Sequence, residues 1–189
     1  RIVTWTVMVG GAIALMTLPW TGHGASGEGA KGWVQLVADM LHLLAAGAWL
    51  GAIAAFLILF VTRLWRQPEG LVLTSRALTE FSIIGTVLVG TLVVTGIVNA
   101  FILVGFAPLL RGDSLYALLL LGKLCLFICM LIMAALNRYR LTPALERAAD
   151  AEQTAVAAAN LHRSLLLEAA FALMIFALVA WLTTLAPPI

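Results

Sequence analysis

An aspartate and a histidine stand one helical turn apart, Asp39 and His42 in "ADMLHLLAAGAWLG", inside a segment that otherwise reads as membrane-spanning. Both can do chemistry there. A buried histidine beside a carboxylate is a candidate proton relay and a candidate metal ligand. Donors with their own preference lie close in sequence: Met40 beside Asp39, His23 in the preceding glycine-rich loop, and Met16 at the end of the first apolar run. Imidazole suits copper and zinc, while thioether selects copper(I). His42, His23, Met40 and Met16, with Asp39 as the neighbouring carboxylate, therefore make a candidate copper entrance. Against this, methionine in an apolar helix is ordinarily a packing residue and a loop histidine is ordinarily solvated, so spacing alone leaves both readings open.

The elements that must position these residues are membrane helices. The chain is 63% hydrophobic and 11% charged, with a mean hydropathy of +1.08, far from the balance of a soluble domain. Runs long enough to span cover residues 2–20 and about 34–62, 81–106, 115–136 and 164–186, which predicts an all-α, polytopic bundle of five transmembrane helices in one domain, 1–189. No run alternates with period two, so a barrel is excluded. The stretch between the fourth and fifth runs, with Thr142 before Pro143, is expected to hold a short amphipathic surface helix. A net charge of +2 with basic residues confined to loops excludes a nucleic-acid partner. The first residue is Arg1, and the chain is expected to be the C-terminal part of a longer one. Arginines 63, 66, 76, 138, 140, 147 and 163 gather in the second and fourth loops and the adjoining helix ends, which predicts a cytoplasmic location for that face and for the N-terminus, with the C-terminus periplasmic.

With that topology, Asp39, His42, Asn99 and Lys123 all fall roughly 7–13 Å below the outer surface. They form one layer. Asp39 and Lys123 are the natural ion-pair partners, either simply neutralising each other or serving the site. His42, Ala46 and Trp49 continue the stripe of Asp39, while Gly47 and Gly51 form a small-xxx-small pair on roughly the opposite side, inviting close approach of another helix. Thr91, Thr95 and Asn99 follow i, i+4, i+8, a stripe that either glues helices or faces the site. Cys125, Cys129 and Met133 make a second soft stripe, read as packing or as an onward path; a disulfide within one straight helix would be strained. Glu168 lies deep near the opposite face, with Arg138 or Arg163 as expected partner.

The ordered series "GHG", "DMLHLLAAGAWLGAI", "EFS", "VTGIVNA", "LYALLLLGKL", "NRYRLTPAL" and "LHRSLLLEAAF…APPI" resembles the CopD/PcoD family of copper resistance proteins of the bacterial inner membrane, from about Gly22 onward. The resemblance implies copper transport or copper homeostasis together with a periplasmic, CopC-like copper-binding partner. It marks His23, Asp39, His42, Trp49, Gly51, Thr95, Gly96, Asn99, Lys123, Asn137, Arg138, Arg163 and Glu168 as motif positions. Glu80 and Ala117 depart from the pattern, at positions that concern packing more than ligands. Members also carry extra helices upstream of the part seen here.

Two further classes compete with a copper transporter. A haem-binding or electron-transfer protein needs a second axial ligand level with His42, and no other histidine falls at that depth. A structural or assembly protein would use the polar layer only to specify packing. No hydrolase constellation and no phosphate-binding glycine loop is present, so the chain is expected not to be an enzyme.

Overall fold

The computed structural model describes residues 2–21, 29–105, 111–112 and 114–185. His23 lies outside them. The helices are α1 (Ile2–Thr17), α2 (Gly29–Val61), α3 (Pro68–Leu103), α4 (Leu115–Leu136), α5 (Thr142–Glu146) and α6 (Ala151–Leu182). One 3-10 turn, Leu18–Thr21, extends α1 and another, Leu64–Arg66, joins α2 to α3; a π-helical turn, Asn137–Leu141, joins α4 to α5. No strand occurs among the described residues. Among the described residues four helices are long and apolar enough to cross a membrane, and α1 with its 3-10 extension is a shorter apolar helix. The chain is an all-α polytopic bundle.

Three of these helices, α2, α3 and α6, are longer than the apolar runs that announce them. At about 1.5 Å per residue, the 33 residues of α2 reach roughly 50 Å, against about 30 Å of hydrocarbon, so its ends project into the headgroup region. The same holds for α6. It begins at Ala151, not near 164, because Asp150 caps it by accepting from the Gln153 N–H at 2.8 Å. The expected surface helix after Pro143 is thus two pieces, the five-residue α5 and the first turns of α6. Likewise α3 starts at Pro68 rather than 81, where a missing N–H costs nothing in the first turn.

Packing is dominated by α2 against α3 and by α4 against α6, with α2 also touching α6 and α1 laid on α2. Ile58, Val72, Ile83, Val87 and Leu173 are exposed on the outside, as lipid-facing side chains must be when the solvent is hydrocarbon. Two apolar clusters fill the interior. Phe56, Phe60, Leu78, Leu145, Leu161 and Leu165 pack at the arginine-rich end. Ala45, Trp49, Ile53, Leu92, Met130 and Ala172 pack at mid-depth. The Gly47 surface receives α1: a Cβ there would meet Leu15 Cδ1 at 2.6 Å. Gly51, by contrast, has open space around it, so the expected close approach involves one glycine of the pair.

Candidate functional site

The stripe Asp39, His42, Trp49 on α2 faces α3, and the two helices meet through side-chain hydrogen bonds. Asn99 Nδ2 donates to Asp39 Oδ1 at 2.6 Å. One turn deeper, His42 Nδ1 lies 2.9 Å from Thr95 Oγ1. Gly96 lies against the ring, where a Cβ would stand in ordinary contact, 3.7 Å from His42 Cε1. Both contacts cross between α2 and α3, so the polar layer is part of what holds the pair in register.

The Thr95 bond sets the histidine's tautomer. Thr95 Oγ1 also donates to the Thr91 carbonyl at 2.6 Å, and a hydroxyl has one proton to give. With that proton committed, His42 Nδ1 carries its own and donates to Oγ1, which leaves the lone pair on Nε2. An imidazole fixed in this way presents a neutral nitrogen donor, the form that binds a transition metal.

Lys123 does not form the expected ion pair. The ion pair found among the described residues is Arg76–Glu80, at 2.7 Å on the surface, and Lys123 acts on Asp39 and His42 only as a charge across space. Asn99 fills the place of direct partner because it faces Asp39 from the adjoining helix, whereas Lys123 approaches from α4. Tyr116 joins the layer from the top of α4, also sensed by Asp39 through space. Its spacing of seven from Lys123 puts the two on one face and was the available signal for it.

The soft donors are less gathered. Met40 is two residues from His42, and residues so spaced do not face each other on a helix. Met16 is 40% exposed on α1. Among the described residues no three His, Cys, Asp or Glu side chains converge as a metal cage. On α4, Cys125 is exposed and Cys129 half-buried, which leaves the stripe they begin turned partly to lipid. Thr91 bonds the Val87 carbonyl of its own helix.

Below the layer, Trp49 is 4% exposed and packs edge-on against Phe127 of α4, with ring centroids 6.3 Å apart. Its indole also reaches the Glu168 carboxyl. Glu168 itself, 2% exposed, accepts a hydrogen bond from Asn137 Nδ2 at the start of the π-helical turn. The arginine partners expected for it are elsewhere: Arg138 Nη1 donates to the Ser82 carbonyl at 3.0 Å and to Thr86 Oγ1, and Arg163 is exposed. Asn137 takes the contact from the end of α4, while Arg138, the next residue of the π-turn, reaches α3 instead.

Comparison with known proteins joins this geometry to relatives. The family model described as copper resistance protein D matches residues 75–182. Copper resistance protein D of Pseudomonas syringae pv. tomato is 41% identical over 179 residues, 94% of this chain and 57% of that protein. Copper transport protein CutJ of Bacillus subtilis (strain 168) is 33% identical over 123 residues, 65% of this chain and 22% of that protein. Inner membrane protein YebZ of Escherichia coli (strain K12) is 30% identical over 135 residues, 70% of this chain and 44% of that protein. The chain thus spans little more than half the length of the first relative and less of the others. No solved structure matches it significantly. The family match covers most of α3 with its Thr95 and Asn99, α4 with Lys123, and all of α6 with Glu168, and the relative from Pseudomonas extends the similarity over nearly all of the rest. The chain belongs to the copper resistance protein D family.

Proposed function

We propose that the protein handles copper at the bacterial inner membrane, receiving the ion at the His42 end of the bundle and passing it into or across the bilayer. The observation that carries this is His42 Nδ1 held against Thr95 Oγ1, whose own proton goes to the Thr91 carbonyl, which leaves the lone pair on Nε2 one helical turn from Asp39. Support comes from the copper resistance and copper transport proteins among its relatives. Imidazole nitrogen is a good copper donor; the Asp39 carboxylate, already held by Asn99, contributes negative potential to the entrance. His23, in the glycine-rich sequence before α2, and Met40 are further candidate donors. A CopC-like periplasmic protein is the expected source of the ion, and the inner membrane, with the arginine-rich end cytoplasmic, is the expected setting. The work proposed is transport, not catalysis.

The haem alternative is poorly supported by the geometry. The other histidine among the described residues, His162, stacks on Phe60 with ring centroids 5.9 Å apart, and Phe60 lies eighteen residues along α2 from His42, roughly 27 Å away. One haem iron cannot take both. Copper stoichiometry of the purified protein and of His42→Ala tests the proposal. Stoichiometric copper in the parent and its loss in a folded, inserted variant is expected. Equal binding by the two would overturn it, and a Soret band in the parent would favour haem.

A further inference from the structure

Glu168 sits in an environment that the copper proposal does not use. The carboxyl is 2% exposed, and Asn137 Nδ2 donates to its Oε1. The other atom of the same amide, Asn137 Oδ1, is buried and has no donor. An orphaned acceptor of this kind carries a cost on the order of 1–3 kcal/mol unless something satisfies it. A proton on the second Glu168 oxygen does so. Acid and primary amide then exchange both hydrogen bonds, N–H to carboxyl oxygen and O–H to amide oxygen. One turn from Glu168 toward the arginine-rich end, Ser164 is 3% exposed with its Oγ also unpartnered, a second polar atom set in the same buried file.

The surrounding charges leave the carboxyl uncompensated. From α2 it meets Trp49 and no charged group, with His42 seven residues farther out, about 10 Å along the helix. From the π-turn, Arg138 points away to Ser82 and Thr86, and Arg140 is exposed. From α3, Arg76 and Glu80 pair with each other on the surface. Glu146 of α5 accepts from Thr79. On α6 itself, His162 stacks on Phe60 and Arg163 is exposed. Lys123 lies on α4 fourteen residues before Asn137, roughly 21 Å along the helix. The donor set is all oxygen, which suits copper badly.

We propose that Glu168 is a proton-exchanging site: its carboxyl O–H, paired with Asn137 Oδ1, releases its proton by way of Ser164 Oγ to water at the arginine-rich end, leaving a carboxylate, and regains it by the same route. The proton is the ligand of this site, distinct from whatever cation His42 receives. Glutamine reproduces the protonated acid, with an N–H where the O–H stood, so Glu168→Gln keeps both bonds to Asn137 and Glu168→Ala keeps neither. Three measurements on the full chain in lipid follow. Infrared difference spectra, Glu168→Gln against parent, should show a protonated-carboxyl C=O band in the parent that shifts in deuterium oxide and is missing in the variant. Thermal denaturation should place Glu168→Gln level with the parent and Glu168→Ala below it. Vesicles with a trapped pH dye should report proton movement on copper addition for the parent and none for Glu168→Gln, although both bind copper equally at His42. Absence of the carboxyl band, glutamine as damaging as alanine, or unchanged proton movement in Glu168→Gln would each overturn the proposal. The first two readouts involve no copper, so failure of the copper proposal is distinguishable from failure of this one.

Discussion

Replacing Thr95 by valine removes one hydroxyl at a position 5% exposed while nearly preserving shape. It deletes the acceptor 2.9 Å from His42 Nδ1. Two magnitudes then separate. An interhelical hydrogen bond in a membrane bundle contributes only about 0.6 kcal/mol on average, and at most about 1.7 kcal/mol, to stability. The helix pair should stay folded. Partners that orient a metal-binding imidazole contribute about 10- to 100-fold in metal affinity, or roughly 1.4–2.8 kcal/mol. Copper affinity should therefore fall more than stability does, because Nδ1 and Nε2 become free to exchange the proton and the ring to turn. The assay is competition with a chelator of known affinity on protein in nanodiscs, beside thermal denaturation of the same samples. Thr95→Ser, which restores the acceptor, should recover most of the affinity. Adding Thr95→Val to His42→Ala should cost nothing more. Parent-like affinity in the valine variant would refute the argument from the tautomer.

Other outcomes follow from the same geometry. In double-mutant cycles read by thermal stability, Asp39 should couple to Asn99, its hydrogen-bond partner at 2.6 Å, by about 0.6–1.7 kcal/mol, and more weakly to Lys123; the reverse order would restore the ion pair as the main contact. Gly96→Val should lower copper affinity by crowding the His42 ring, which lies 3.7 Å from the site of a Cβ, whereas Gly90→Val, with open space, should not. Cys125→Ala with Cys129→Ala should leave copper binding unchanged. In that background a cysteine at Ser26 should react with an impermeant thiol reagent on spheroplasts and one at Gln67 should not; the opposite labelling would invert the orientation.

Hydropathy made the bundle legible because a span must be apolar over its hydrocarbon length, but it saw only that length. The starts of α3 and α6 were carried by other signals, Pro68 and the cap Asp150 with Gln153, which a search for apolar runs passes over. The layer of Asp39, His42, Asn99 and Lys123 was readable from depth. Its pairing was not, since opposite charge suggested Lys123 while rotation of α3 brought Asn99. The partner of Glu168 was missed for a related reason. Depth along the helix suggested an arginine, but the residue that the end of α4 turns toward Glu168 is Asn137, and Arg138 of the π-turn reaches α3.

The apolar band around Trp49 has an electrical consequence. Ala45, Ile53, Leu92, Met130 and Ala172 pack with the indole between the His42 layer and the Asn137 end, and a thin band of low polarity between two polar regions concentrates a membrane potential across itself. Each elementary charge moved through it would do work of about 2.3 kcal/mol per 100 mV. If cations pass, their flux should rise steeply with voltage, and replacing Trp49 by a smaller polar residue should widen the distance over which the field falls and flatten that dependence. Currents measured at stepped potentials on supported membranes would read it; a voltage-independent flux would mean that the cargo does not cross at the tryptophan.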